Sequence, residues 1–79
     1  MSTQTTGMVL DLKGLLCPMP VIKLAKAIKD IPVGEIIEAF ATDPGVMADI
    51  PAWCRTTGNE LVTLEKNDKQ FRFVVRRGK

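Results

Sequence analysis

The sequence predicts an α/β (α+β) two-layer sandwich, in which two helices cover one face of a mixed four-stranded sheet. Three observations support this prediction. The chain has 79 residues, 46% of them are apolar, and short apolar runs typical of strands alternate with segments whose apolar residues have helical spacing. A chain of this length forms one core and no second lobe. We expect a single domain over residues 8–79 in the order βαβαββ, preceded by a disordered polar segment over residues 1–7.

The first strand and the first helix follow from apolar spacing. Residues Met8 to Leu12 form a short apolar run, which is typical of a strand, and a loop follows around Gly14. Over residues 18–30, apolar side chains recur at i, i+3, i+4 and i+7, as on one face of an amphipathic helix. We expect this helix to begin at Pro18, with Cys17 as its N-cap.

The second strand and the second helix flank a turn. The run from Glu35 to Thr42 is apolar on both faces, so we expect this strand to be central in the sheet. Asp43-Pro44-Gly45 then forms a turn. Asp49 is the expected N-cap of the second helix, which tolerates Pro51 only in its first turn. Gly58 is expected to end this helix.

The last two strands are predicted to form an antiparallel hairpin. They run over Leu61 to Lys66 and Gln70 to Arg77, and the polar pair Asn67-Asp68 joins them. A right-handed crossover makes the first two strands parallel, so the sheet is mixed. Both helices are expected on one face, which leaves the other face exposed to solvent.

Composition excludes several classes of function. The chain has no histidine or tyrosine and only two cysteines, so we expect no metal site and no cofactor. The net charge of +2 is too small to indicate a nucleic-acid-binding protein. No apolar run is long enough to span a membrane and no secretory signal is recognisable, so we expect a cytoplasmic protein.

Cys17 is the main candidate for chemistry, because it lies at the expected start of a helix. A helix N-terminus favours the thiolate, which is the nucleophilic form of cysteine. Pro18 and Pro20 remove two of the free N–H donors of the first turn, so we expect only partial activation, with Lys23 adding positive charge. The alternative is that Cys17 is a small buried apolar residue.

Several residues around Cys17 resemble the TusA/SirA family of small sulfur carrier proteins, and the resemblance runs from about Val9 to the C-terminus. As a set the motifs are specific, whereas a bare Cys-Pro is not. The matching residues are Asp11, Gly14, Cys17-Pro18-x-Pro20 (the CPxP motif), Lys23, Gly34, Asp43-Pro44, Asp49-Ile50-Pro51 and Gly58.

The resemblance implies a fold similar to the C-terminal domain of translation initiation factor 3. It also implies that Cys17 carries a persulfide. Asp11, Gly14, Lys23 and the two prolines of the motif would form the supporting residues of this site. The sulfur would come from a donor protein of the cysteine desulfurase or rhodanese type and pass to an acceptor sulfur-relay protein. Such a sulfurtransferase relay serves tRNA thiolation, cofactor sulfuration or sulfur oxidation. We expect a monomer when the carrier is free.

Two other functions stay open at this point. Cys54 lies on the apolar face of the second helix, so we expect it in the protein core. As a resolving thiol it would instead pair with Cys17 in a redox sensor. A nucleic-acid-binding or regulatory module would use the solvent-exposed face of the sheet and the basic C-terminus. There we expect Arg72, Arg76 and Arg77 to be solvated charges at a sheet edge.

Two further groups of residues have an expected environment or local role. We expect Leu15, Leu16 and Met19 to be exposed around Cys17, where a partner protein would cover them. Asp11, Asp43 and Asp49 are interpreted as turn and capping residues, with no role in proton transfer.

Overall fold

The computed structural model describes residues 8–79, so the predicted disorder of residues 1–7 lies outside the described part of the chain. The elements follow the predicted order. They are β1 (Met8–Leu12), α1 (Met19–Ala27) continued by a 3-10 turn (Ile28–Asp30), β2 (Ile36–Ala41), α2 (Val46–Thr57), β3 (Glu60–Asn67) and β4 (Gln70–Arg76).

The four strands form one mixed sheet in the order β1-β2-β4-β3. Strands β1 and β2 are parallel, whereas β4 pairs antiparallel with both β2 and β3. The predicted mixed sheet and the central position of β2 are therefore confirmed. The prediction that the C-terminal arginines lie at a sheet edge is wrong for Arg72 and Arg76, because β3 folds back along the outer side of β4 and makes β4 an interior strand.

One face of the sheet carries the core, because side chains alternate between the two faces of each strand. On β2 the buried residues are Ile37, Ala39 and Ala41, which alternate along the strand and share one face. Leu24 of α1 and Ile50 of α2 pack against the same face and are completely buried. Both helices therefore lie on one side of the sheet, as expected.

Helix α1 begins one residue later than predicted. Pro18, not Cys17, is the N-cap residue, and Met19 is the first helical residue. The reason is a turn just before the helix, in which the Met19 N–H donates to the Leu16 carbonyl at 2.9 Å. The Pro20 side chain is fully buried, so this proline belongs to the core as well as to the motif.

Helix α2 begins four residues earlier than predicted, and the assignment of Asp49 as its N-cap is wrong. Gly45 is the N-cap residue, because the turn after β2 continues directly into the helix. The Val46 N–H donates to the Asp43 carbonyl at 3.1 Å as part of that turn. Pro51 consequently lies beyond the first turn. Gly58 ends the helix with a φ of 79°, as predicted, in the left-handed region that favours glycine.

Candidate functional site

Cys17 lies at the edge of the sheet where the parallel strands β1 and β2 end. Because these strands run in the same direction, the loop after β1 and the turn after β2 meet at this edge. The N-terminal ends of α1 and α2 lie there too, since each helix follows one of these strands. The topology thus places Cys17 next to residues that are more than 25 positions away in sequence.

The loop that carries Cys17 is shaped by two of the predicted supporting residues. Gly14 adopts a φ of 83°, which favours glycine, and its N–H donates to the Thr42 hydroxyl at 2.9 Å. The Asp11 carboxylate accepts the Lys13 N–H at 3.1 Å. Both residues act on the backbone of the loop, and this agrees with the interpretation of Asp11 as a turn residue.

Two carboxylates hold Cys17 itself. The Cys17 N–H donates to Asp43 Oδ2 at 2.8 Å, and the Cys17 thiol donates to Asp49 Oδ2 at 3.0 Å. Cys17 is exposed, whereas both aspartates are half-buried. The alternative of Cys17 as a buried apolar residue is therefore wrong. The thiol lies at the surface with a carboxylate beside it.

The pKa of the Cys17 thiol is raised above its ordinary value. The hydrogen bond to Asp49 is the largest cause, followed by desolvation and by the negative charges of Asp49 and Asp43. The predicted partial activation is thus wrong for the free protein. The donors expected to stabilise a thiolate are occupied, because the Cys17 N–H binds Asp43 and the Met19 N–H binds a carbonyl.

The remaining motif residues lie in different environments. Lys23 is exposed on α1, and its charge is not among the causes that shift the Cys17 pKa. Pro18 is exposed beside Cys17, whereas Pro20 points into the core. Among residues 8–79, no group of three or more potential metal ligands could hold a metal ion.

Two exposed apolar side chains, Leu16 before Cys17 and Met19 after it in the sequence, form an apolar rim next to the thiol. Leu16 is 72% exposed and Met19 is 39% exposed, as predicted. Leu15 is half-buried and packs against the core, so the expectation that it is exposed is wrong. Exposed apolar side chains next to a reactive atom are typical of a surface that a protein partner covers.

Cys54 lies in the core, as the sequence predicts. Its side chain is 3% exposed, and both cysteines are free thiols. Burial raises the pKa of the Cys54 thiol to about 11. A buried protonated thiol is a poor nucleophile, so this position offers no support for the proposed redox pair with Cys17.

The open face of the sheet is less basic than its arginines suggest. Arg72 binds Glu38 at 2.6 Å and Glu65 at 3.3 Å, and Arg76 binds Glu60 at 2.8 Å. The Arg77 guanidinium donates to the backbone carbonyls of Ile31 and Lys79. Because carboxylates neutralise Arg72 and Arg76, this face offers little support for the nucleic-acid alternative.

Sequence reasoning missed the contacts of Asp43 and Asp49 with Cys17. Asp43 is a turn residue, as interpreted, since Oδ1 accepts the Gly45 N–H at 3.3 Å, yet its other oxygen binds Cys17. A usable signal was present in the predicted topology. Parallel strands end at the same edge, so acidic residues that follow β2 belong beside a cysteine that follows β1.

Comparison with known proteins decides the family. A family model described as "Sulfurtransferase TusA" matches residues 8–77, and this range includes every residue of the site. The chain belongs to the TusA family. The resemblance drawn from the CPxP motif and its neighbouring residues is therefore confirmed.

Relatives with sulfur carrier names support this assignment. A candidate sulfur carrier protein of Halobacterium salinarum is 49% identical over 71 residues, or 89% of this chain and 88% of the relative. The sulfur carrier protein TusA of Pseudomonas savastanoi is 37% identical over 73 residues, or 92% of this chain and 87% of that protein. The candidate sulfur carrier YrkF of Bacillus subtilis is 46% identical over 70 residues, or 89% of this chain; the chain spans only 38% of YrkF.

A solved structure confirms the fold. The crystal structure of a SirA-like protein from Desulfitobacterium hafniense superposes with a TM-score of 0.77 at 20% identity. The match covers 91% of this chain and 99% of the other. The described residues of the TusA-family chain contain no helix that is long and apolar enough to cross a membrane.

Proposed function

We propose that this protein is a sulfur carrier that accepts a sulfur atom on Cys17 as a persulfide and passes it to another protein. The observation that carries the proposal is the position of Cys17. It is the exposed one of the free cysteines, at a loop-to-helix junction, in a chain of the TusA family. The other cysteine, Cys54, is buried and so less suited to this role.

Loading and delivery are two exchanges at sulfur. In loading, the Cys17 thiolate attacks the terminal sulfur of a donor persulfide; a new S–S bond forms, the donor S–S bond breaks, and the donor cysteine leaves as a thiol after taking up a proton. In delivery, an acceptor thiolate attacks the terminal sulfur on Cys17; a new S–S bond forms on the acceptor, the S–S bond on Cys17 breaks, and Cys17 becomes a thiol again after taking up a proton. Neither step changes the total number of S–S bonds, so no external oxidant or reductant is required.

The carboxylates around Cys17 suit a carrier that waits between partners. The hydrogen bond to Asp49 favours the protonated form of the Cys17 thiol, and a protonated thiol is less susceptible to oxidation than a thiolate. A carrier must also present its sulfur to two proteins in turn. An exposed thiol on an edge of the sheet meets this requirement better than a thiol in a deep pocket.

The partners in this proposal are proteins. A cysteine desulfurase or a rhodanese-type protein supplies the sulfur, and an acceptor sulfur-relay protein receives it. The apolar rim of Leu16 and Met19 gives each partner a surface to cover next to the reactive atom. We place the carrier in the cytoplasm, because a reducing compartment keeps both Cys17 and Cys54 as thiols.

Intact-protein mass after incubation with a persulfide donor tests the proposal. The wild type and Cys54→Ala are expected to gain the mass of one sulfur atom, whereas Cys17→Ala is expected to gain none. Cys17→Ala is a suitable variant because the side chain is exposed and contributes little to packing. Equal loading of Cys17→Ala and the wild type would overturn the assignment.

A further inference from the structure

Uptake of sulfur changes the hydrogen bonding of the Cys17 sulfur. In the empty carrier the thiol donates a hydrogen bond to Asp49 Oδ2 over 3.0 Å. In a persulfide the same sulfur atom is bonded to a second sulfur atom and carries no proton. The loaded carrier therefore loses the donor that satisfies this Asp49 oxygen.

Sulfur uptake also places a negative charge beside carboxylates. The terminal sulfur of a persulfide is more acidic than a thiol and is anionic at neutral pH, so it is repelled by Asp49 and Asp43. The nearest backbone donors do not compensate, since the N–H groups of Cys17 and Met19 are already engaged. Lys13 and Lys23 are the lysines nearest to Cys17 in sequence. Among the described residues neither forms an ion pair, so neither neutralises Asp43 or Asp49.

The two aspartates affect this balance in different ways. Asp43 binds the backbone of Cys17 and of Gly45, so its main effect is on the conformation of the loop. Asp49 contacts the sulfur atom itself. It lies in the first turns of α2, close to the edge of the sheet where Cys17 lies. Asp49 is thus the group whose interaction with the sulfur changes most between the empty and the loaded carrier.

We propose that Asp49 biases Cys17 toward the empty thiol and thereby makes the carrier release its sulfur more readily. This inference rests on the proposed function, because it assumes that Cys17 bears the sulfur. The sulfur on Cys17 is then held weakly enough for an acceptor thiol to take it. A site with hydrogen-bond donors around the sulfur would instead retain the persulfide.

A defined exchange reaction measures this bias. Glutathione persulfide anion reacts with the Cys17 thiol to give the Cys17 persulfide anion and glutathione, so one sulfur atom is transferred and charge and protons balance. At a fixed ratio of glutathione persulfide to glutathione, intact mass gives the ratio of loaded to empty carrier at equilibrium. A more negative site lowers that ratio.

Asp49→Asn is the informative variant, because it removes the charge and supplies an amide donor of nearly the same size. We expect its ratio of loaded to empty carrier to exceed that of the wild type about three- to tenfold. The matched control is Asp30→Asn, which removes the same charge at the far end of α1, where the 3-10 turn ends. The control ratio is expected to equal that of the wild type.

Two further measurements separate this role from a structural one. The pH profile of iodoacetamide labelling of Cys17 is expected to shift to lower pH in Asp49→Asn, because the carboxylate no longer opposes ionisation. Asp49→Glu keeps the charge and is expected to restore most of the wild-type ratio. If Asp49→Asn does not fold, Asp49→Ala replaces it, with an expected increase of the same sign.

The outcomes distinguish the role of Asp49 from the proposed function of Cys17. An unchanged or lower ratio in Asp49→Asn, in protein with a wild-type melting temperature, would overturn the role of Asp49 while Cys17 remains the carrier. If the wild type and Asp30→Asn take up no sulfur on Cys17, the proposed function itself fails. A higher ratio in Asp49→Asn and a wild-type ratio in Asp30→Asn support both.

Discussion

The Asp43 carboxylate joins two segments of the chain that meet only in the folded protein. One oxygen accepts the Cys17 N–H at 2.8 Å, and the other accepts the Gly45 N–H at 3.3 Å. The first bond fixes the loop after β1, and the second fixes the turn that begins α2. A single side chain therefore sets the position of the Cys17 backbone relative to the helix that carries Asp49.

Asp43→Ala is expected to lower both stability and sulfur uptake. It leaves the exposed Cys17 N–H and the partly buried Gly45 N–H without their acceptor, which costs about 1 kcal/mol in the free energy of unfolding. Because Cys17 is then no longer held beside α2, transfer from a donor protein is expected to slow severalfold. Urea unfolding and the rate of mass gain measure the two effects. Asp43→Asn keeps one acceptor oxygen and is expected to fall between Asp43→Ala and the wild type. Wild-type values for both measurements in Asp43→Ala would contradict this role.

Apolar periodicity was sufficient to predict the fold. The alternation of Ile37, Ala39 and Ala41 placed these residues on one face of β2, and Gly58 identified the end of α2. These features are local, because a strand face and a helix end are each specified by residues close together in the sequence. The crossover rule then gave the parallel pairing of the first two strands, which was also correct.

The electrostatics of the site could not be predicted in the same way. The position of Cys17 near a helix start was correctly predicted, but the effect of the helix dipole was outweighed by a carboxylate from the other helix. Asp49 was misread as an N-cap because Asp43-Pro44-Gly45 has the composition of a separate turn. In the structure that turn runs into α2, which places Asp49 inside the helix. Such contacts depend on tertiary packing.

The ion pairs on the open face of the sheet predict weak binding of nucleic acid. Arg72 and Arg76 are already paired with glutamates. Few cations on this face are therefore left to neutralise phosphates and release the counterions of a nucleic acid. We expect the isolated protein to bind tRNA with a Kd weaker than about 1 µM at physiological salt. Fluorescence anisotropy with a salt titration measures this value.

A charge variant provides the control for this experiment. Replacing Glu38, Glu60 and Glu65 by glutamine frees both arginines and adds three positive units to the net charge of +2. This variant is expected to bind tRNA more tightly and with a steeper dependence on salt. A submicromolar complex of the wild type that is lost on changing Arg72 and Arg76 would instead support the nucleic-acid function.

Burial of Cys54 predicts a loss of stability at alkaline pH. Burial raises the pKa of this thiol in the folded protein from an ordinary value of 9.0 to about 11. Below pH 9 the thiol is protonated in both the folded and the unfolded state, so its contribution to stability is fully present. Between pH 9 and pH 11 the unfolded state loses its proton first, and stability falls as pH rises.

Urea unfolding from pH 7 to pH 10.5 tests this effect, with Cys54→Ala as the comparison. The variant is expected to be less stable than the wild type at pH 7, because it leaves a small cavity in the core. Its stability is nevertheless expected to decline less steeply above pH 9, since it lacks the buried thiol. Lysine deprotonation affects both proteins alike, so the difference between the two slopes isolates Cys54. Parallel slopes would contradict the prediction. They would mean that the Cys54 thiol ionises equally easily in the folded and the unfolded chain, although its side chain is only 3% exposed in the fold.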